Sequence, residues 1–247
     1  MQRRDAGAAA RQGLHVRVRT SEESQVPPPR SSPVHRRAAE HLRNADPVLA
    51  RCLPPDGQSW RLPPSPGAFP CLARAIVGQQ ISGGAARSIV LRLRERSGAG
   101  RFPSADWFGS APEDTLRGCG LSTQKVRYLR ALSSELREGR LDLHALSGRP
   151  DAEVVERLAE LPGIGRWTAE MFLIFALHRP DVLPVGDLGL RKAVQRNWGD
   201  RALPSEARVG RLGKRWVPYR TYATYALWRS LEPPGAGRRE PEGGVNG

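Results

Sequence analysis

The sequence predicts an all-α fold. Apolar residues recur at helical spacing from about residue 68 to residue 231, and no alternating apolar–polar stretch exceeds four residues. Several periodic segments begin at a Ser, Thr or Asp, the residues that cap helix N-termini.

In chain order, residues 1–35 are basic and Pro-rich near their end (PPPRSSP), the composition of a disordered leader. Residues 36–52 form a short helix broken at Asp46-Pro47, and the five prolines of LPPDGQSWRLPPSPG (53–67) make a linker. The compact domain is expected over 68–232, followed by a disordered tail at 233–247. Ala73, Ile76 and Val77 mark a buried helix that stops at Gly78. Ser82 caps the next, with Ala86, Ile89, Val90 and Leu93 on one face. Residues 104–117 read as one or two short helices. Thr123 caps a helix carrying Val126, Leu129, Leu132 and Leu136, and Asp151 caps one carrying Val154, Val155, Leu158 and Leu161. The segment 166–178 is apolar nearly all round and belongs in the core. Helices over 188–198, 205–216 and 218–231 close the chain, Pro218 falling in the first turn of the last.

Composition narrows the function. The 247-residue chain has a net charge of +14 and a pI of about 11. Residues 1–40 hold eight arginines and four acids, so most of the positive excess lies in the body and points to an anionic partner. Cys52, Cys71 and Cys119 show no metal-binding or disulfide spacing, so no metal site and no cofactor is expected. No apolar run reaches the roughly 18–20 residues of a membrane span, and the N-terminus lacks a secretory core. The Arg-rich start mimics an organellar transit peptide, but a cytoplasmic, nucleoid-associated bacterial protein is the expectation.

The stretch LPGIGRWTAEM (161–171) joins two helices through glycines that cannot sit mid-helix. Gly163 and Gly165 either form an ordinary turn or aim converging amides, at the start of a helix, at a phosphate. Asp187 follows Gly186 at the start of the helix over 188–198, where it is either an N-cap or a functional acid. Asp181, in the same loop, is the natural control for it.

LPGIG, with DVLPVGDLGLRKAV placing Asp187 twenty residues after Trp167, resembles the helix-hairpin-helix DNA glycosylase superfamily. LARAIVGQQISGGAARSI (72–89), CGLSTQKVRYLRAL (119–132) and GKRWVPYRTYATYALW (213–228) are similar to its 3-methyladenine DNA glycosylase II branch. The resemblance runs in order from about Ala68 to Leu231. It implies two helical subdomains flanking a cleft, and a monomeric enzyme that flips damaged bases out of double-stranded DNA. It implies that Asp187 is catalytic, stabilising the positive charge that develops on the sugar as the N-glycosidic bond breaks. Bifunctional members carry a lysine where this chain has Trp167; an indole cannot form a Schiff base, and the Arg166 guanidinium is no nucleophile. A monofunctional enzyme using water is therefore implied. Trp167, Met171 and Trp228 become pocket candidates for an electron-poor base, although each also reads as a core residue. Gln80 takes the wedge position, unless Gln79 and Gln80 only cap helix ends. Gly163, Gly165, Arg166 and Thr168 are the implied phosphate contacts.

Relatives with an iron–sulfur cluster use four C-terminal cysteines, and no cysteine follows Cys119 here. The larger branch members begin with a β domain, for which the first 67 residues show no strand periodicity. Two other readings remain at this level: a glycosylase for hypoxanthine, uracil or an exocyclic adduct, and a non-catalytic DNA-binding module.

Overall fold

The computed structural model describes residues 33–53 and 61–232, and all regular structure there is helical. The helices are α1 (Pro33–Ala45), α2 (Pro47–Ala50), α3 (Ala68–Gly78), α4 (Gly83–Ser97), α5 (Ala105–Ser110) and α6 (Glu113–Gly118). They continue as α7 (Thr123–Arg137), α8 (Asp151–Ala159), α9 (Arg166–Phe175), α10 (Leu188–Trp198), α11 (Glu206–Gly213) and α12 (Arg220–Ser230). Short 3-10 turns cover Ala145–Gly148 and Lys214–Trp216. No described helix is long and apolar enough to cross a membrane. Residues 1–32 of the expected leader, residues 54–60 of the linker and the tail at 233–247 lie outside the described residues.

Local chemistry sets the helix boundaries. Ser82 Oγ accepts from the Ala85 N–H at the start of α4, as expected. Two expected caps move by one residue. Ser122, not Thr123, accepts from the Lys125 N–H to cap α7, and Pro150 precedes α8, leaving Asp151 as its first helical residue. The last helix begins at Arg220, so Pro218 stands just before it rather than in its first turn.

The helices enclose two apolar clusters. The first is built from α3 to α9 around Leu72, Phe108, Leu129, Leu158 and Phe172. The second joins α1 and α2 to α10, α11 and α12 around Leu42, Leu49, Val194, Trp216 and Leu227. The expected start of the compact domain at Ala68 is thereby corrected, because Ala38, Ala39, Leu42, Leu49 and Leu53 are all buried in the second cluster. The stripe on α1 is only three buried residues wide among charged neighbours, too thin to stand out in the sequence.

Asp46 explains why the chain breaks at Pro47. Its Oδ1 accepts from the Val48 and Leu49 N–H groups to cap α2, and its Oδ2 accepts from the buried Trp216 Nε1 at 3.3 Å. Asp46→Ala strips the cap and leaves an indole N–H buried without a partner. The expected loss, read by urea denaturation, is about 2–4 kcal/mol.

Candidate active site

Between the two clusters lies a cleft of about 430 Å³, within the size range of small-molecule sites. The start of α9 supplies Arg166, Trp167 and Glu170 to its wall, the 185–188 loop supplies Asp187, and α11 supplies Glu206. Asp187 comes from the second cluster's side and Trp167 from the first, so the cleft sits on the seam of the fold.

Asp187 is only 2% exposed, and its carboxylate is held from several directions. Its Oδ1 accepts from the Leu190 N–H at 2.6 Å, capping α10, and from Trp228 Nε1 at 2.7 Å. Its Oδ2 accepts from Trp167 Nε1 at 2.8 Å. Asp187 is thus an N-cap, and two indoles also fix its orientation at a cavity wall. Asp181, the control, forms a bidentate pair with Arg220 at 2.7 and 2.9 Å and ties the loop to α12.

The other candidates divide. Trp167 is partly exposed and lines the cleft. Trp228 lies behind the carboxylate, its ring stacked on Phe175 at 5.9 Å, and acts on Asp187 rather than on the cavity. Met171 is 1% exposed inside the first cluster, which corrects its placement in a pocket. It follows Trp167 by one turn, but α9 is buried on nearly every side and at Met171 the helix packs into the first cluster rather than against the cleft.

The hairpin stands beside the cleft, facing a second groove of about 400 Å³. Gly163 has φ +79°, and a Cβ built on it would lie 2.1 Å from the Tyr128 ring, so both conformation and packing demand glycine. Gly165 differs from expectation: its φ is −91°, and a Cβ would meet nothing within 4 Å. It caps α9 without any side-chain acceptor, so the first amides of the helix have no side-chain cap. Thr168 is buried, 2% exposed, with its Oγ1 3.5 Å from the Gln79 amide nitrogen, which corrects its placement as a surface phosphate contact. Arg166 is 76% exposed at a helix N-terminus, where the macrodipole disfavours a cation and a phosphate would suit it.

Gln79 and Gln80 border both the cleft and the groove. The Gln79 amide donates to the Gly163 carbonyl at 2.7 Å and reaches Thr168 Oγ1 at 3.5 Å, fastening this turn to the hairpin. Gln80 is exposed with φ +56°, a conformation uncommon for a residue with a side chain.

Residues 73–219 match the HhH-GPD superfamily base excision DNA repair protein family. The chain belongs to this family. Within the HhH-GPD superfamily it is similar to DNA-3-methyladenine glycosylase 1 of Schizosaccharomyces pombe, 32% identical over 160 residues that span 64% of this chain and 70% of that one. Among solved structures it superposes on the S. pombe 3-methyladenine DNA glycosylase in complex with abasic DNA, with a TM-score of 0.72 and 29% identity, covering 78% of this chain and 96% of that one. A DNA-3-methyladenine glycosidase from Bacillus halodurans gives a TM-score of 0.67 and 34% identity, covering 81% and 89%. The matches bear out the all-α glycosylase fold.

Sequence reasoning missed two carboxylates of this HhH-GPD site. Glu170 is 6% exposed, and its Oε1 accepts from Arg166 Nε at 2.9 Å. Burial pushes its carboxyl above the usual range; Arg166 opposes that shift, and Asp187 and Glu206 add to it. The signal for Glu170 was its position three residues after Trp167, on the same face of α9. Glu206 carried none, as it enters from α11 across the loop.

Proposed function

We propose that this protein is a monofunctional DNA glycosylase of base excision repair. It flips an alkylated purine, of the 3-methyladenine or 7-methylguanine type, out of double-stranded DNA and hydrolyses its N-glycosidic bond, leaving an abasic site. The observation that carries this reading is the Asp187 carboxylate, held by two indole N–H groups at the wall of a cleft beside an uncapped helix N-terminus. A purely DNA-binding module needs the hairpin alone.

The steps follow from the residues. Backbone amides at the start of α9, with Arg166, grip the DNA backbone without reading sequence. Gln80, on the ridge between groove and cleft, fills the space left by the flipped base. The Trp167 ring offers a π surface to an electron-poor base, and Asp187 stabilises the oxocarbenium-like sugar and orients the attacking water. No lysine is among the cleft-lining residues, in keeping with water rather than an amine as nucleophile. The enzyme works as a monomer.

The test is a duplex carrying one 7-methylguanine, incubated with the protein and resolved with and without hot alkali. Strand breaks only after alkali are the expected result. Breaks without alkali would refute the monofunctional mechanism, and tight binding with no breaks across a lesion panel would make the protein a binding module.

Trp228 is a positioning residue, and Trp228→Phe separates its two roles. Phenylalanine keeps a ring against Phe175 but loses the N–H to Asp187. Base release is expected to slow about tenfold, with affinity for an abasic duplex within about twofold of wild type. A change confined to affinity would assign Trp228 to DNA binding instead.

A further inference from the structure

We infer that Glu170 is a specificity-determining residue, whose carboxylate favours a cationic base in the cleft once DNA has drawn Arg166 away to a phosphate. The inference rests on the proposed function and names which bases that site prefers.

A buried carboxylate is unfavourable unless it is paired, and Arg166 pairs with Glu170 here. The two partners are unequally placed: the Glu170 side chain is 7% exposed and lines the cleft, whereas Arg166 is 76% exposed at the hairpin. Arg166 also precedes Glu170 by four residues at the start of α9, the order that works against the helix dipole. A phosphate arriving at the hairpin supplies a better counter-charge for this guanidinium. Its departure leaves a carboxylate facing the cavity with no cation.

Alkylation at N3 or N7 places a formal positive charge on a purine, while an undamaged purine is neutral. Glu170 therefore discriminates by charge, and Trp167, one helical turn away on the same wall, by its π face. Asp187 keeps its place at the sugar, held by its indoles. The two carboxylates in this way divide recognition from chemistry.

The experiment compares single-turnover release of 7-methylguanine, a cation, and hypoxanthine, a neutral base, from the same duplex by wild type, Glu170→Gln and Arg166→Gln. Glutamine keeps the size and hydrogen bonding of Glu170 and removes its charge. Release of 7-methylguanine by Glu170→Gln is expected to fall at least about tenfold, with hypoxanthine within about threefold. Because the ratio is read within one preparation, a smaller folded fraction cancels. Arg166→Gln is expected to weaken abasic-duplex binding and to keep the wild-type ratio. If wild type leaves hypoxanthine in place, a neutral etheno adduct of adenine takes its part. Equal falls on both bases, an unchanged 7-methylguanine rate, or a ratio collapsed by Arg166→Gln would each overturn the inference with the glycosylase reading intact. A wild type that releases no base at all refutes the proposed function, and this inference with it.

Discussion

Asp187→Asn is expected to lower the rate of base release by about a thousandfold, the scale lost when a charge-stabilising group is removed from an enclosed site. Asparagine is as good an N-cap as aspartate, so the Leu190 N–H keeps its acceptor and α10 its start. The charge is lost, and one indole then faces an amide N–H₂ instead of an oxygen, at a cost of about 1–3 kcal/mol. Binding to a duplex with an abasic-site analogue should remain within about threefold, because the hairpin does not depend on this carboxylate. Single-turnover kinetics and fluorescence anisotropy give the two numbers. Retention of release within tenfold of wild type would remove Asp187 from the chemistry.

Gly163→Ala is expected to be the most damaging single-methyl change in the hairpin. At φ +79° alanine is strained, and its Cβ has nowhere to go but the Tyr128 ring. Strain and overpacking together amount to about 3–5 kcal/mol, a drop of roughly 10 °C in Tm for a domain of this size. Tyr128→Ala in the same background should recover part of it, since the clash is relieved and the backbone strain is not. Gly165→Ala is the counterpart, with an ordinary φ and open space around its Cβ. Its Tm should stay within about 2 °C while abasic-duplex affinity falls about tenfold, because the open space is where a DNA backbone would approach the amides. Equal thermal losses in the two variants would refute this division of labour.

The same pair of glycines shows how far the sequence was legible. LPGIG marks a tight turn between helices on residue type alone, and Gly163 fulfils that reading by conformation. Nothing in the sequence told Gly165 apart from it, because the Tyr128 ring lies 35 positions earlier in the chain. Asp187 was visible as a helix cap, and only the resemblance implied a catalytic role for it; that Trp167 and Trp228 both donate to it is a tertiary fact with no local trace. Met171 failed for a related reason. In a helix apolar nearly all round, periodicity cannot say which face opens onto a cavity, and the face that does carries Arg166, Trp167 and Glu170. Helix α1 went unread as core because its three buried residues, Ala38, Ala39 and Leu42, are less conspicuous than its arginines.

Asp46 and Asp187, counted by lone pairs, are near twins. A carboxylate has about four acceptor positions, and both acids spend them on backbone N–H groups of the helix they start and on tryptophan indoles, Asp46 Oδ2 also lying 3.9 Å from Arg215. Apart from that ion pair, what separates the two acids is the space in front of them. Asp46 is 1% exposed beside the packed second cluster, whereas Asp187 lines a cleft of about 430 Å³. In the proposed function, reactivity belongs to the void as much as to the side chain. If the seam were filled, Asp187 would become a second Asp46.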